Sequence, residues 1–170
     1  MYHSLAMEDL LDLLSITNNL PSTFPKEKIR IKFLKGMDWL KTMIYNNEEL
    51  SHFNDCANGI APKYSELKIY ANNLGLDLSI QENNNFYYHS DSGFIVFEDN
   101  NCHLVADVAK IGPSYLPGHA HADTLSFELA IFGQRIIVNS GTSVYGISLE
   151  RSRQRSTAAH STLEIDGQNS

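Results

Sequence analysis

Gly118-His-Ala-His-Ala-Asp-Thr-Leu-Ser-Phe-Glu-Leu129 is the stretch on which the reading of this chain turns. In an extended chain alternate residues share a side. His119, His121 and Asp123 are therefore expected on one face, at the mouth of a strand. Beyond them Leu125, Phe127, Leu129 and Ile131 alternate with Ser126, Glu128 and Ala130, the pattern of a strand with one buried apolar face. Glu128 would then lie on the opposite, surface side. Gly133-Gln134 is expected to turn this strand into a partner, Arg135 to Val138.

Upstream, Phe86 to Tyr88, Phe94 to Phe97 and Cys102 to Ala106 read as short strands between Asp-Ser-Gly and Asp-Asn-Asn turns. Thr162 to Ile165 gives one more. Many short, turn-linked strands predict an antiparallel β-sandwich. Before about residue 79 the pattern is helical. Leu5, Leu10, Leu11, Leu13 and Leu14 crowd one segment from Tyr2 to about Ile16, which Asn18, Asn19 and Pro21 end. A second helix is expected from Pro25, with Ile29, Phe33, Met37, Leu40 and Ile44 as its buried stripe. Residues 51 to 63 read as a loop, and Ser65 to Asn73 as a helix capped by Gly75. Helix pairs of this kind build α/α toroids, although these are too few to close one. The expectation is an α+β chain in two parts: 1–78 as C-terminal helices of a toroid, 79–170 as the start of an antiparallel β-sandwich. The chain begins inside a helix and stops at a turn-like Asp166-Gly-Gln-Asn-Ser170, so it reads as a piece of a longer protein.

A hydrophobic content of 42% and a charged content of 19% are ordinary for a globular chain. The net charge of −7 argues against nucleic acid as a partner, since such affinity rests on Lys and Arg neutralising phosphates. Basic residues do gather locally, at Arg151, Arg153 and Arg155. No apolar run reaches the length of a membrane span. Cys56 and Cys102 lack metal-type spacing and are either two thiols or one pair.

A His-X-His pair beside an aspartate can bind a metal, polarise a carboxylate or move a proton. A tetrahedral zinc site needs about four donors, and Asn139 and His160 are the candidates on neighbouring segments. His-X-His-X-Asp also opens the metal site of metallo-β-lactamase-type hydrolases, so a metal-dependent hydrolase using His119, His121 and Asp123 is one alternative. There, however, a further His follows where this chain has Thr124.

The chain resembles the heparinase II/III-like polysaccharide lyases in several places at once. Gly118 to Leu129 looks like the signature of their central sandwich, and Arg135 to Thr142 like its partner strand. Arg155 to Thr162, with Glu164 to Asn169, is similar to the next block. Met1-Tyr-His3 with Met7 to Leu14 resembles a helix of their toroid, and Phe53 to Pro62 its closing region. The resemblance implies cleavage of uronate-containing acidic polysaccharide by β-elimination. It makes Tyr2 the base, acid or both, His119 the histidine facing the cleft, and Tyr145 a second proton-donor candidate. It implies zinc held by His121, Asn139 and His160, weakened because an amide replaces an expected Asp and brings no charge. Asp123 would then supply an anion or orient His121. Arg151 and Arg155 become candidates for binding sugar carboxylates or sulfates, and Lys110 a residue near the cleft mouth. The resemblance places the carboxylate-neutralising Asn or His upstream of Tyr2, and the protein in the periplasm or cell envelope. A non-catalytic relative that binds acidic polysaccharide is the other alternative.

Overall fold

In the computed structural model, which describes residues 1–78, 84–112, 115 and 117–170, helices occupy the first part and an antiparallel sheet the second. Two compact units form. One comprises Met1–Glu49 and Asn58–Asn83, the other Leu50–Ala57 and Asn84–Ser170. The expected boundary at 78/79 abuts residues 79–83, which lie outside the described residues. Leu50–Ala57, expected as a loop of the helical part, belongs with the sheet.

The first unit packs α1 (Tyr2–Ile16) against α2 (Lys26–Thr42) and α3 (Tyr64–Asn73). The buried line of α1 is Ser4, Met7, Leu11 and Leu14, at helical three- and four-residue steps. Leu13, expected among the buried leucines, is exposed because it falls off that line. Phe33, Met37 and Leu40 form the buried stripe of α2. Gly36 lies between them because a Cβ there would fall on the Met7 sulfur. No described helix is long and apolar enough to cross a membrane.

The second unit is built on five antiparallel strands in sequence order: β1 (Phe86–His89), β2 (Phe94–Glu98), β3 (Cys102–Asp107), β4 (Phe127–Ile131) and β5 (Gln134–Ile137). Val96 pairs with Val105 and Val105 with Glu128, so all three share a face, and each is fully buried. The alternation predicted for β4 is therefore real, but its burial is inverted. Ser126, Glu128 and Ala130 face inward, while Leu125 and Ile131 are exposed and Leu129 half-buried. The segment Leu50–Ala57 lies on this inner face. Phe53 meets the Phe94 ring edge-on at 5.1 Å, and the His52 amide donates to Glu128 Oε1 at 2.9 Å. Glu128 also receives the Asn139 amide at 2.9 Å and the Arg135 guanidinium at 3.0 Å. A buried carboxylate costs free energy unless paired and hydrogen-bonded, and these donors meet that need.

Other expectations also change. The turn after β4 is Phe132-Gly133, with φ of 50° and 75°, and Gln134 already pairs with Ile131. Thr162–Ile165 is not a strand; Ile165 makes only an isolated bridge to Gln168. The arginine-rich segment is a short helix, α4 (Leu149–Arg155), whose N-cap Ser148 accepts the Arg151 amide. No disulfide joins Cys56 and Cys102.

Candidate functional site

The Gly-His-Ala-His-Ala-Asp segment is not the mouth of a strand. Residues 117–126 pass through turns before β4 begins, and α4 holds their backbone. Arg155 Nε donates to the Ala120 carbonyl at 2.8 Å and its Nη2 to that of Pro117 at 3.2 Å. The Ala122 amide donates to the Arg155 carbonyl at 2.9 Å, and Thr157 Oγ1 to the Ala122 carbonyl at 2.7 Å. So bound, the loop sends His119 and His121 to one carboxylate and Asp123 elsewhere.

His119 and His121 converge on Asp55, a residue the motif reading did not single out. His119 Nδ1 lies 2.7 Å from Asp55 Oδ2, and His121 Nε2 2.9 Å from Oδ1. Arg151 grips the same carboxylate with both terminal nitrogens, Nη2 at 2.8 Å from Oδ2 and Nη1 on Oδ1. Asp55 is 2% exposed. Burial acts to raise its pKa, but the bonds from Arg151, His121 and His119 outweigh it and hold the carboxyl below its ordinary value. An ionised carboxylate only accepts, so both imidazole nitrogens facing it carry protons. The His119 side chain is 63% exposed and that of His121 fully buried. Tyr145 stands beside them, its ring 6.5 Å from that of His119 and under the Arg151 guanidinium at 5.2 Å.

Behind this hub, His121 Nδ1 lies 3.2 Å from His160 Nε2. Burial lowers the pKa of His121, and burial with the neighbouring His121 pushes that of His160 down to about 4. Both rings are therefore neutral near pH 7. With His121 donating from Nε2, its bare Nδ1 accepts from His160. Asn139 is 2% exposed; its Oδ1 accepts the Ser161 amide at 3.0 Å and its Nδ2 reaches toward Ser126 Oγ at 3.5 Å. The implied zinc would meet a weak donor set here: two imidazoles whose mutual hydrogen bond it would have to replace and an amide oxygen engaged by backbone, with no anionic donor among them. Among the described residues no group of three or more His, Cys, Asp or Glu side chains is arranged so that it could hold a metal ion.

Asp123 does not join His119 and His121. It is 4% exposed, accepts from the Asn54 backbone, and lines a cavity of about 510 Å³ with Asp107, Asp91 and Lys110. Arg151 is buried and committed to Asp55 and to Thr142 Oγ1 at 2.8 Å. Arg155 is tied to the loop carbonyls, and Arg153 to Glu150 at 2.6 Å. Tyr2 opens α1 in the first unit, with its side chain about half exposed. Glu128, expected at the surface, is the buried tie described above. Asp55 escaped attention because Asn54-Asp55 sits in a segment without periodicity. Its only signal was membership of the Phe53 to Pro62 resemblance.

Among curated proteins none matches this sequence. Solved structures match its fold, among them the three that follow. A crystal structure titled heparinase III aligns with a TM-score of 0.77 at 18% identity, over 99% of this chain and 31% of that one. The heparan sulfate lyase HepC from Pedobacter heparinus aligns at 0.73 and 22%, over 99% and 29%. A heparinase III gene product aligns at 0.74 and 18%, over 99% and 29%. The chain thus spans about three tenths of the length of these proteins, and the likeness at such identities is one of fold. In sequence, the family model described as heparinase II/III-like, C-terminal, matches residues 82–170. This chain belongs to the heparinase II/III-like family.

Proposed function

We propose that the protein carrying this chain is a polysaccharide lyase that cleaves uronate-containing acidic polysaccharide by β-elimination. The observation that carries the reading is His119. Its exposed ring is anchored through Nδ1 on a buried carboxylate and stands beside Tyr145. An imidazole so held is set in a fixed orientation for proton transfer.

In β-elimination a base removes the proton on the carbon next to the uronate carboxylate. The carbon–carbon double bond forms as the bond to the glycosidic oxygen breaks, and an acid protonates that oxygen. The carbanionic intermediate needs its charge offset. In this reading Tyr2 and His119 carry the proton transfers, and Tyr145 sits where it can assist His119. The carboxylate-neutralising group comes from outside these 170 residues. Because Arg151 and Arg155 are spent on Asp55 and on the His119 loop, their part is to shape the site. No step passes through a metal.

The helices of the first unit are read here as part of an α/α toroid, and the sheet as half of a β-sandwich. The outer face of the sheet supports the second reading, since Phe86, Tyr88, Phe97 and Ile131 lie on it and are all exposed.

The test is to incubate the full-length protein with heparan sulfate, alginate and other uronate polymers and follow ultraviolet absorbance of the 4,5-unsaturated product. Absorbance that rises with time for at least one polymer, and is abolished in Tyr2→Phe and His119→Ala, is expected. Binding without unsaturated product would overturn the reading in favour of a binding protein. Hydrolysis without it would favour a hydrolase.

A further inference from the structure

We infer that Asp55 is the positioning residue of the exposed histidine: it holds His119 in the Nδ1–H tautomer, and Arg151 holds Asp55. The inference rests on the lyase reading for its kinetic consequence, but not for its structural content.

Three features of the geometry lead there. First, Asp55 receives four hydrogen bonds, from His119, His121 and two nitrogens of Arg151. A carboxylate offers about four lone-pair sites, so its rotation is fully restrained. Second, a neutral imidazole that donates from Nδ1 carries its lone pair on Nε2. The carboxylate thus decides which nitrogen of a neutral His119 ring carries the proton. Third, the backbone around His119 is held from the same helix as Arg151. The carbonyls of Pro117, Gly118 and Ala120 accept from Arg155, Arg151 and Arg155 respectively. The ring can therefore neither swing away from Asp55 nor flip without breaking a charge-assisted bond. His121, on the other side of the carboxylate, is enclosed, whereas the His119 side chain reaches solvent. One buried aspartate thus serves two histidines differently, a structural one and an outward-facing one.

The experiment labels the full-length protein with 15N-histidine and reads the ring nitrogens of His119, assigned by their loss in His119→Gln. It also measures kcat and KM on heparan sulfate. In the wild type, His119 is expected as the Nδ1–H tautomer. Asp55→Asn keeps the shape of the side chain while allowing its amide to donate. The signal should move toward the Nε2–H tautomer, and kcat should fall on the order of 10²-fold with little change in KM. Asp55→Asn leaves the Arg151 guanidinium buried without its counter-charge, which endangers folding. The double variant Asp55→Asn/Arg151→Met removes both charges and is read in the same way. Retention of the Nδ1–H tautomer, or of wild-type kcat, in a folded variant would overturn the inference. If wild-type protein releases no unsaturated product from heparan sulfate, that bears on the lyase reading, and the tautomer alone then decides the role of Asp55.

Discussion

At the scale of single residues, Asp123 and His160 sit a few positions from the same hub and titrate in opposite senses. Burial, and then the charge of Asp107, pushes the Asp123 carboxyl up to about 6, against about 3.9 in an unfolded chain. Between these values the fold retains a proton that the unfolded chain has released. Stability from this group is therefore lost as pH rises from about 4 to about 6. His160, pushed down to about 4, works the other way. The unfolded ring charges below about 6.5 while the folded one stays neutral, so stability is lost as pH falls from about 6.5 to about 4. The two partly cancel in the wild type, and a variant separates them. Asp123→Asn keeps an acceptor for the Asn54 amide and removes the titration. Relative to wild type it should gain up to about 3 kcal/mol as pH rises from 4 to 7, measured by denaturant unfolding. A difference that stays constant over that range would contradict the assignment. The motif made His119, His121 and Asp123 visible, but not their division of labour. His119, His121 and Asp123 look alike in the sequence, and only their neighbours distinguish them.

Among the elements, β4 shows how a correct pattern can be read with the wrong face inward. Alternation predicts a strand, but which set is buried depends on what covers each side. Here Leu50–Ala57 lies on the side of Ser126, Glu128 and Ala130, and Glu128 is the acceptor that binds it. The turn that follows makes a separate point. Phe132 and Gly133 both have positive φ, which defines a two-residue hairpin turn that favours Asn-Gly. Phe132 is 76% exposed, so its ring returns little for that conformation. Phe132→Asn should raise stability by about 1 kcal/mol, seen as a higher thermal midpoint; an unchanged or lower midpoint would count against this account of the turn. Gly141, with φ of 62°, is required for a different reason, because a Cβ there would strike the Cys56 carbonyl oxygen. The Thr142 amide donates to that same oxygen at 3.1 Å, joining the strip after β5 to the residue next to Asp55. Helix α4 was missed because Arg, Ser and Gln alternate through it without an apolar stripe. Its N-cap Ser148 was the one local signal.

At the scale of the whole molecule, the inner face of the sheet mixes Val96, Val105 and Ala130 with buried polar residues such as Ser126 and Glu128, while its outer face leaves Phe86, Tyr88, Phe97 and Ile131 exposed. Phe97 lies on the outer face, 39% exposed. If a second sheet covers that face, as the sandwich reading requires, Phe97→Lys should cost the full-length protein well over 1 kcal/mol in denaturant unfolding. A cost within about 0.5 kcal/mol, as for an ordinary surface site, would refute a covered face.

Periodicity sufficed for α1 to α3 and for β1 to β5, since each depends on neighbours a few residues apart, but not for α4, and it added a strand at Thr162–Ile165 that does not form. Motif order likewise sufficed to place the chain among the heparinase II/III-like proteins. The site was not legible in the same way, because its centre is assembled over distance. Asp55 meets His119 across 64 positions, His121 across 66 and Arg151 across 96. No local pattern encodes such a partnership, and burial then converts it into a fixed charge and a fixed tautomer. For the same reason a histidine pair that reads as a metal signal folds into a hydrogen-bonded hub, with one ring enclosed and the other turned outward.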